Sequence, residues 1–182
     1  MACTPMRKRA RLLGALAALL LAFTGCSSPS PEVDSDDDGA LIAPRVGASA
    51  PDFSLTTLQG EDVDLAALRG SPTWIVFNAT WCAACRAEAP DVQAVHDAVG
   101  EDASILGVYM GEDGASVAGF ADRVGLTYTQ AADADQEVSR SYGVVGVPQH
   151  FFLDAEGTVV AVVSGGLTEE AALEYLAEAG LP

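Results

Sequence analysis

The sequence predicts an α/β fold in which helices cover both faces of a central mixed β-sheet. Apolar runs rich in β-branched and aromatic residues alternate with segments of helical periodicity, a pattern typical of such sheets. The 182 residues allow one domain of ordinary size plus appendages. Of the four cysteines, Cys3 and Cys26 lie in a predicted leader and its cleavage site, which leaves Cys82 and Cys85 as the free pair. The hydrophobic core, rather than a disulfide framework, must therefore stabilise the fold.

Residues 1–25 have the features of a signal peptide. A basic segment is followed by the apolar stretch Leu12–Phe23, which is too short for a comfortable transmembrane span. The Thr24-Gly25-Cys26 ending resembles the bacterial lipoprotein cleavage motif, which implies a lipid anchor at Cys26, although Phe23 stands where leucine is usual. A plain secretory signal and an uncleaved anchor remain alternatives. All three place the domain outside the cytoplasmic membrane.

Residues 26–44 are rich in Ser, Pro, Asp and Gly and are predicted to form a flexible, disordered linker to a domain over residues 45–182. Within the linker, residues 34–39 match the opening of a calcium loop. The twelfth position of that loop would be Arg45 instead of the required bidentate Glu, so calcium binding is disfavoured.

The charge balance is strongly acidic. The whole chain carries a net charge of −17, and the mature part keeps five arginines against all 26 acidic residues, a net charge of −21. Nucleic acid and anionic lipid are therefore excluded as electrostatic partners. We expect a monomer with no cofactor and no metal.

Taken in order, the patterns of the domain predict short strands and helices that alternate along the chain. They are a hairpin within residues 51–65, a helical turn over 65–69, a strand over 74–78, a helix over 83–99 kinked at Pro90, a strand over 104–110, a helix over 114–124, a short strand over 126–131, a short helix over 135–142, a hairpin of 151–153 with 158–163, and a helix over 168–179 capped by Thr168.

The motif Trp81-Cys82-Ala83-Ala84-Cys85 lies where the strand over 74–78 gives way to the helix over 83–99. Free backbone N–H groups and the positive end of the helix dipole there favour a thiolate at Cys82. Cys85 lies one turn further on, faces the same side and can close a disulfide. The spacing predicts redox chemistry. A permanent structural disulfide, or a zinc or copper site completed by His150, are the alternatives.

Four segments resemble the TlpA/ResA-like branch of the thioredoxin superfamily, and the resemblance covers residues 44–182. They are Ala-Thr-Trp-Cys-Ala-Ala-Cys-Arg-Ala-Glu-Ala-Pro at 79–90, Val-Gly-Ala-Ser-Ala-Pro-Asp-Phe-Ser-Leu at 46–55, Tyr-Gly-Val-Val-Gly-Val-Pro at 142–148, and Phe-Leu-Asp-Ala-Glu-Gly at 152–157. The resemblance implies a thioredoxin-like fold with an N-terminal β-hairpin and a βα insertion.

The resemblance also implies roles for the dithiol and its surroundings. Cys82 matches the exposed nucleophile that attacks a partner's disulfide, and Cys85 matches the buried cysteine that resolves the mixed disulfide. Glu88 matches a glutamate near the disulfide, where a partly buried carboxylate could exchange protons with Cys85. A surface position remains the alternative for Glu88.

A second set of implied site residues belongs to substrate binding. Pro148 matches a proline whose preceding peptide bond is cis and which packs against the dithiol, whereas an ordinary trans bond is the general expectation for proline. The Val147 N–H and C=O groups would then be free to pair with an extended substrate strand, beside Trp81. For Trp81, a packing role alone is the alternative, and for His150 a structural role is as plausible as a functional one.

The implied activity is that of a membrane-anchored thiol-disulfide oxidoreductase on the extracytoplasmic face of the cell membrane. Its expected partners are extracytoplasmic protein thiols and disulfides, apocytochrome c among them, and a membrane thiol-redox carrier. A disulfide-donating oxidant and a copper-delivery module are the alternatives. Ala83-Ala84 departs from the residues common in relatives and leaves the direction open. Val76 stands where cytoplasmic thioredoxins keep a buried aspartate, which raises the importance of Glu88.

Overall fold

The computed structural model describes residues 43–182. The predicted signal peptide over residues 1–25, the lipidation site Cys26 and nearly all of the linker over residues 26–44 lie outside the described residues. Within the described part of the chain, no helix is both long enough and apolar enough to span a membrane.

The described chain contains seven strands and five helices in a mixed order. They are β1 Ser54–Thr56, β2 Asp62–Asp64, α1 Leu65–Leu68, β3 Thr73–Asn78, α2 Ala83–Val99, β4 Ser104–Met110, α3 Gly114–Val124, β5 Thr129–Asp133, α4 Glu137–Ser141, β6 Gln149–Leu153, β7 Val159–Ser164 and α5 Glu169–Glu178.

Five of the strands form one mixed sheet in the order β5-β4-β3-β6-β7. β3, β4 and β5 run parallel, while β6 is antiparallel to both β3 and β7. β1 and β2 form a separate antiparallel hairpin. This arrangement confirms the predicted α/β class, its mixed sheet and its N-terminal hairpin, and the pair β5–α4 supplies a further strand–helix unit before the last hairpin.

The central strand β3 is buried on both faces, because its side chains alternate between two hydrophobic clusters. Trp74 and Val76 join the cluster that contains the buried faces of α2, α3 and α5. Ile75 and Phe77 join the cluster on the other side, with side chains from α4 and the N-terminal hairpin. The sheet therefore fixes the end of β3, and with it the start of α2, between two packed layers.

Most predicted elements agree with the structure to within a few residues. The helix for which a kink is predicted at Pro90 is one continuous helix, α2, through that residue. The largest difference from the predicted elements is in the strand expected over residues 126–131, because β5 begins only at Thr129. Gly125 ends α3 in a left-handed conformation, and the Leu126 N–H donates to the Ala121 carbonyl oxygen at 3.0 Å. Leu126 thus completes the helix terminus and cannot begin the strand.

Candidate active site

The two cysteines of the motif lie at the junction of β3 and α2 and are joined by a disulfide. Their Cα atoms are 5.3 Å apart. Cys82 is the N-cap of α2 with an extended backbone, and its Sγ accepts a hydrogen bond from the Cys85 N–H at 3.1 Å. After reduction the same N–H and the helix terminus are placed to stabilise a Cys82 thiolate.

Both cysteines are largely buried in this disulfide form. Cys82 is 8% exposed and Cys85 is 5% exposed, because Ala79 and Val147 pack against the pair. The expectation of a buried Cys85 is met, but the expectation of an exposed Cys82 is wrong for the oxidised protein. The small exposed part of Cys82 is therefore the surface through which a partner can reach the disulfide.

The loop before β6 brings Val147 and Pro148 to the disulfide. The Val147–Pro148 peptide bond is cis, as the resemblance implies, and Pro148 is buried. The Val147 carbonyl oxygen lies 3.6 Å from Cys82 Sγ. β6 begins at Gln149, so the Val147 backbone groups lie outside its ladder, at the edge where an extended chain could pair with them.

Two apolar side chains near the disulfide are exposed, one in the cysteine motif and one in the loop before β6. Trp81 is 65% exposed, so the alternative of a purely packing role is wrong for it. Val145, two residues before Val147, is 98% exposed. Sequence reasoning did not single out Val145, because an isolated valine in a loop carries no pattern that predicts its exposure.

Glu88 is buried on the same side of α2 as Cys85, so the alternative of a surface glutamate is wrong. Its Oε2 accepts a hydrogen bond from the Leu167 N–H at 3.1 Å, and its Oε1 is buried with no hydrogen-bond partner among the described residues. Burial raises the pKa of Glu88 to about 7, the Leu167 N–H opposes the rise, and Asp91 adds to it. The carboxyl group can therefore both hold and release a proton near neutral pH.

His150 is fully buried on β6 and both of its ring nitrogens are engaged. Trp74 Nε1–H donates to Nδ1 at 3.3 Å, and Nε2 lies 2.9 Å from the Gly165 carbonyl oxygen. Burial lowers the pKa of His150 to about 4, against the opposing effect of the Gly165 carbonyl. A neutral ring with both nitrogens occupied does not favour the metal site considered for Cys82, Cys85 and His150. Within residues 43–182, no group of three or more His, Cys, Asp or Glu side chains is arranged to hold a metal ion.

Thr80, which precedes Trp81, forms hydrogen bonds with two charged side chains that sequence reasoning missed. Thr80 donates to the Glu112 carboxylate through its N–H, at 2.7 Å, and through its hydroxyl. Arg86 donates to the Thr80 carbonyl oxygen at 3.1 Å. Glu112 follows β4, 32 residues away in sequence, so only the parallel pairing of β3 and β4 brings it to this loop.

Comparisons with known proteins agree with this geometry. The model of the AhpC/TSA family matches residues 46–162. The thiol-disulfide oxidoreductase ResA of Geobacillus thermodenitrificans is 34% identical over 135 residues, which cover 74% of this chain and 78% of that protein. A thiol:disulfide interchange protein of the thioredoxin family from Chlorobium tepidum superposes with a TM-score of 0.67 at 26% identity, covering 76% of this chain and 99% of the other. A secreted Mycobacterium tuberculosis disulfide oxidoreductase, described as homologous to E. coli DsbE, superposes with a TM-score of 0.63 at 29% identity over 69% of this chain and 94% of the other.

Proposed function

The chain belongs to the AhpC/TSA family and is a thiol-disulfide oxidoreductase, and we propose that it reduces disulfides of extracytoplasmic proteins from a lipid anchor at Cys26. The observation that carries the proposal is the Cys82–Cys85 disulfide at the start of α2, with the Val147 backbone beside Cys82. A helix N-terminus activates the sulfur, and the neighbouring loop offers backbone groups to an extended chain.

The first step of the proposed reduction uses the Cys82 thiolate. Its sulfur attacks one sulfur of the partner's disulfide, a mixed disulfide forms, and the other partner sulfur leaves as a thiolate. The Cys85 N–H and the first turn of α2 stabilise the attacking thiolate, so a larger share of it is ionised at neutral pH.

The second step releases the partner and closes the enzyme's disulfide. Cys85 loses its proton and attacks Cys82 Sγ, the Cys82–partner bond breaks, and the partner's second sulfur leaves as a thiolate. The two enzyme thiols are thereby oxidised to a disulfide while the partner's disulfide is reduced by two electrons. Glu88 is our candidate base for the Cys85 proton, because it lies one turn along the same buried face of α2 and has a pKa near 7.

We assign substrate binding to the rim of the disulfide. The Val147 N–H and C=O groups are placed to pair with an extended substrate strand, and the exposed Trp81 offers an apolar surface beside the nucleophile. This arrangement would align a substrate disulfide with Cys82 Sγ before any bond changes.

The location and the partners complete the proposal. The signal peptide and Cys26 predict a lipid-anchored protein of the cell envelope, and one structural relative is itself described as secreted. A membrane thiol-redox carrier would return electrons to the disulfide, and apocytochrome c is the proposed substrate class. Lipidation predicts that the protein extracted from the membrane begins at a Cys26 that carries acyl chains, which mass spectrometry detects, and an unmodified Cys26 would contradict lipidation.

The reduction potential of the Cys82–Cys85 pair tests the direction of the reaction. A potential near that of thioredoxin, about −270 mV, supports a reductant, whereas one near −120 mV would show a disulfide-donating oxidant. A Cys85→Ser variant expressed in its natural envelope should accumulate a mixed disulfide with the substrate, because resolution is blocked. Identification of the trapped protein by mass spectrometry then tests apocytochrome c, and trapping of other proteins alone would reject it.

A further inference from the structure

A buried chain of hydrogen bonds runs from Trp74 through His150 to the segment that contacts Glu88. The indole Nε1–H can only donate, so His150 Nδ1 accepts from it at 3.3 Å. The ring proton of the neutral imidazole therefore lies on Nε2, which donates to the Gly165 carbonyl oxygen at 2.9 Å. His150 is thus held in one tautomer and one orientation inside the core.

The same segment holds one oxygen of the Glu88 carboxyl and leaves the other free. Two residues after Gly165, the Leu167 N–H donates to Glu88 Oε2 at 3.1 Å. His150 Nε2 lies 3.7 Å from this same Oε2. Glu88 Oε1 is buried and has no partner among the described residues. The unpaired Oε1 can take up a proton and leave the Leu167 contact of Oε2 undisturbed.

We propose that His150 is a positioning residue that fixes the Glu88 carboxyl on its Oε2 side, so that proton exchange with the dithiol takes place at Oε1. The proposal rests on the proposed function, in which Glu88 receives the Cys85 proton. As Cys85 Sγ bonds to Cys82 Sγ and the partner's thiolate leaves, the proton moves from Cys85 to Glu88 Oε1. When the enzyme's disulfide is reduced again, Cys85 leaves Cys82 as a thiolate and takes this proton back from Glu88, which restores the carboxylate.

The place of His150 in the sheet explains why this residue can take the role. His150 lies opposite Val76 in the β3–β6 ladder, so both side chains lie on the face of the sheet that α2 covers. The Val76 side chain is apolar and offers no hydrogen bond to α2. The imidazole of His150 is therefore the polar side chain that β6 presents to the Glu88 carboxyl, with its Nε2 3.7 Å from Oε2.

Other titratable groups surround Glu88, and none of them replaces His150. Asp91 on α2 adds a like charge that raises the pKa of Glu88. Tyr109 on β4 and Tyr128 before β5 feel the charge of Glu88, and burial raises the pKa of Tyr109 to about 12 and that of Tyr128 well above its usual range. Both phenols therefore stay neutral across the range in which Glu88 titrates, and Cys85 is the remaining group of α2 on this face.

The direct test follows the Glu88 carboxyl carbon by NMR across pH 5 to 9 in the oxidised full chain. His150→Leu removes the N–H beside Oε2, so the midpoint of Glu88 should rise by roughly half a pH unit or more, because that N–H favours the charged carboxylate. His150→Gln keeps an N–H donor and should stay close to the wild type. His96→Gln, which changes the chain's other histidine, is the control and should leave the midpoint unchanged. An unmoved midpoint in His150→Leu overturns the proposal.

A measurement on the wild type keeps the test decisive if His150→Leu does not fold. The His150 Nε2–H resonance should shift with the same midpoint as Glu88, and a resonance that stays constant through that midpoint overturns the proposal. The pH profile of disulfide exchange separates this proposal from the proposed function. If Glu88→Gln leaves the profile unchanged, the proton role of Glu88 fails. If Glu88→Gln flattens the profile while His150→Leu matches the wild type, only the role of His150 fails.

Discussion

The substitution Glu88→Gln should make the oxidised protein more stable at alkaline pH and leave its stability nearly unchanged in mild acid. Glutamine keeps an oxygen for the Leu167 N–H and resembles the protonated carboxyl, but it never ionises. The pKa of Glu88 rises from its ordinary value of 4.5 to about 7 in the folded protein. A rise of that size corresponds to about 3 kcal/mol of unfolding free energy that the wild type loses as the pH increases through this range.

The sign follows from the protons that each state binds. Between pH 4.5 and 7 the unfolded chain has released the Glu88 proton while the folded chain still holds it, so the wild type loses stability as pH rises. His150, whose pKa is lowered, acts in the opposite sense between pH 6.5 and about 4. Because His150 contacts Glu88, the part of the difference above pH 6.5 is the part that reports on Glu88 alone.

Urea unfolding of the oxidised wild type and variant, at intervals from pH 5 to pH 8, measures the effect. The advantage of Glu88→Gln should grow by about 2 to 3 kcal/mol over this range. Glu174→Gln, at an exposed glutamate of α5, is the matched control and should give a difference independent of pH. Parallel stability curves for the wild type and Glu88→Gln would refute the burial argument for Glu88.

Three further predictions concern the dithiol and its rim. Cys82→Ser should abolish disulfide exchange with any substrate, and measurable turnover would remove Cys82 from the role of nucleophile. Trp81→Ala should raise KM for a protein disulfide by roughly tenfold with little change in kcat, because a surface contact rather than the reacting atoms is lost; an equal loss with a small-molecule disulfide would contradict a docking role. Glu112→Ala removes the acceptors of the Thr80 N–H and hydroxyl and should cost about 1–3 kcal/mol in urea unfolding. In a double-mutant cycle with Thr80→Val, the two losses of stability should not add, and additive losses would show that the hydroxyl contact contributes nothing.

The sequence contains enough information for the order of elements and for the centre of the site. An amphipathic repeat predicts α2, and a short, nearly continuous apolar run predicts β4. The cysteine motif identifies Cys82 and Cys85 because their spacing equals one helical turn. These features are local, so neighbouring residues alone determine them.

The parts that sequence reasoning missed depend on contacts between distant segments. Trp74 and His150 are 76 residues apart and meet only because β3 and β6 pair. Glu112 reaches Thr80 only through the pairing of β3 with β4. The error over the exposure of Cys82 has the same origin, because the side chain that covers it belongs to Val147, 65 residues further on.

The burial of the disulfide affects which thiols can reduce it. With Cys82 only 8% exposed and Cys85 only 5% exposed, the oxidised pair presents a small target to thiols in solution. A partner that docks beside the exposed Trp81 and the Val147 backbone can hold a thiolate in line with the disulfide. We therefore expect a docked partner to reduce this pair faster than a free thiol of the same reduction potential does.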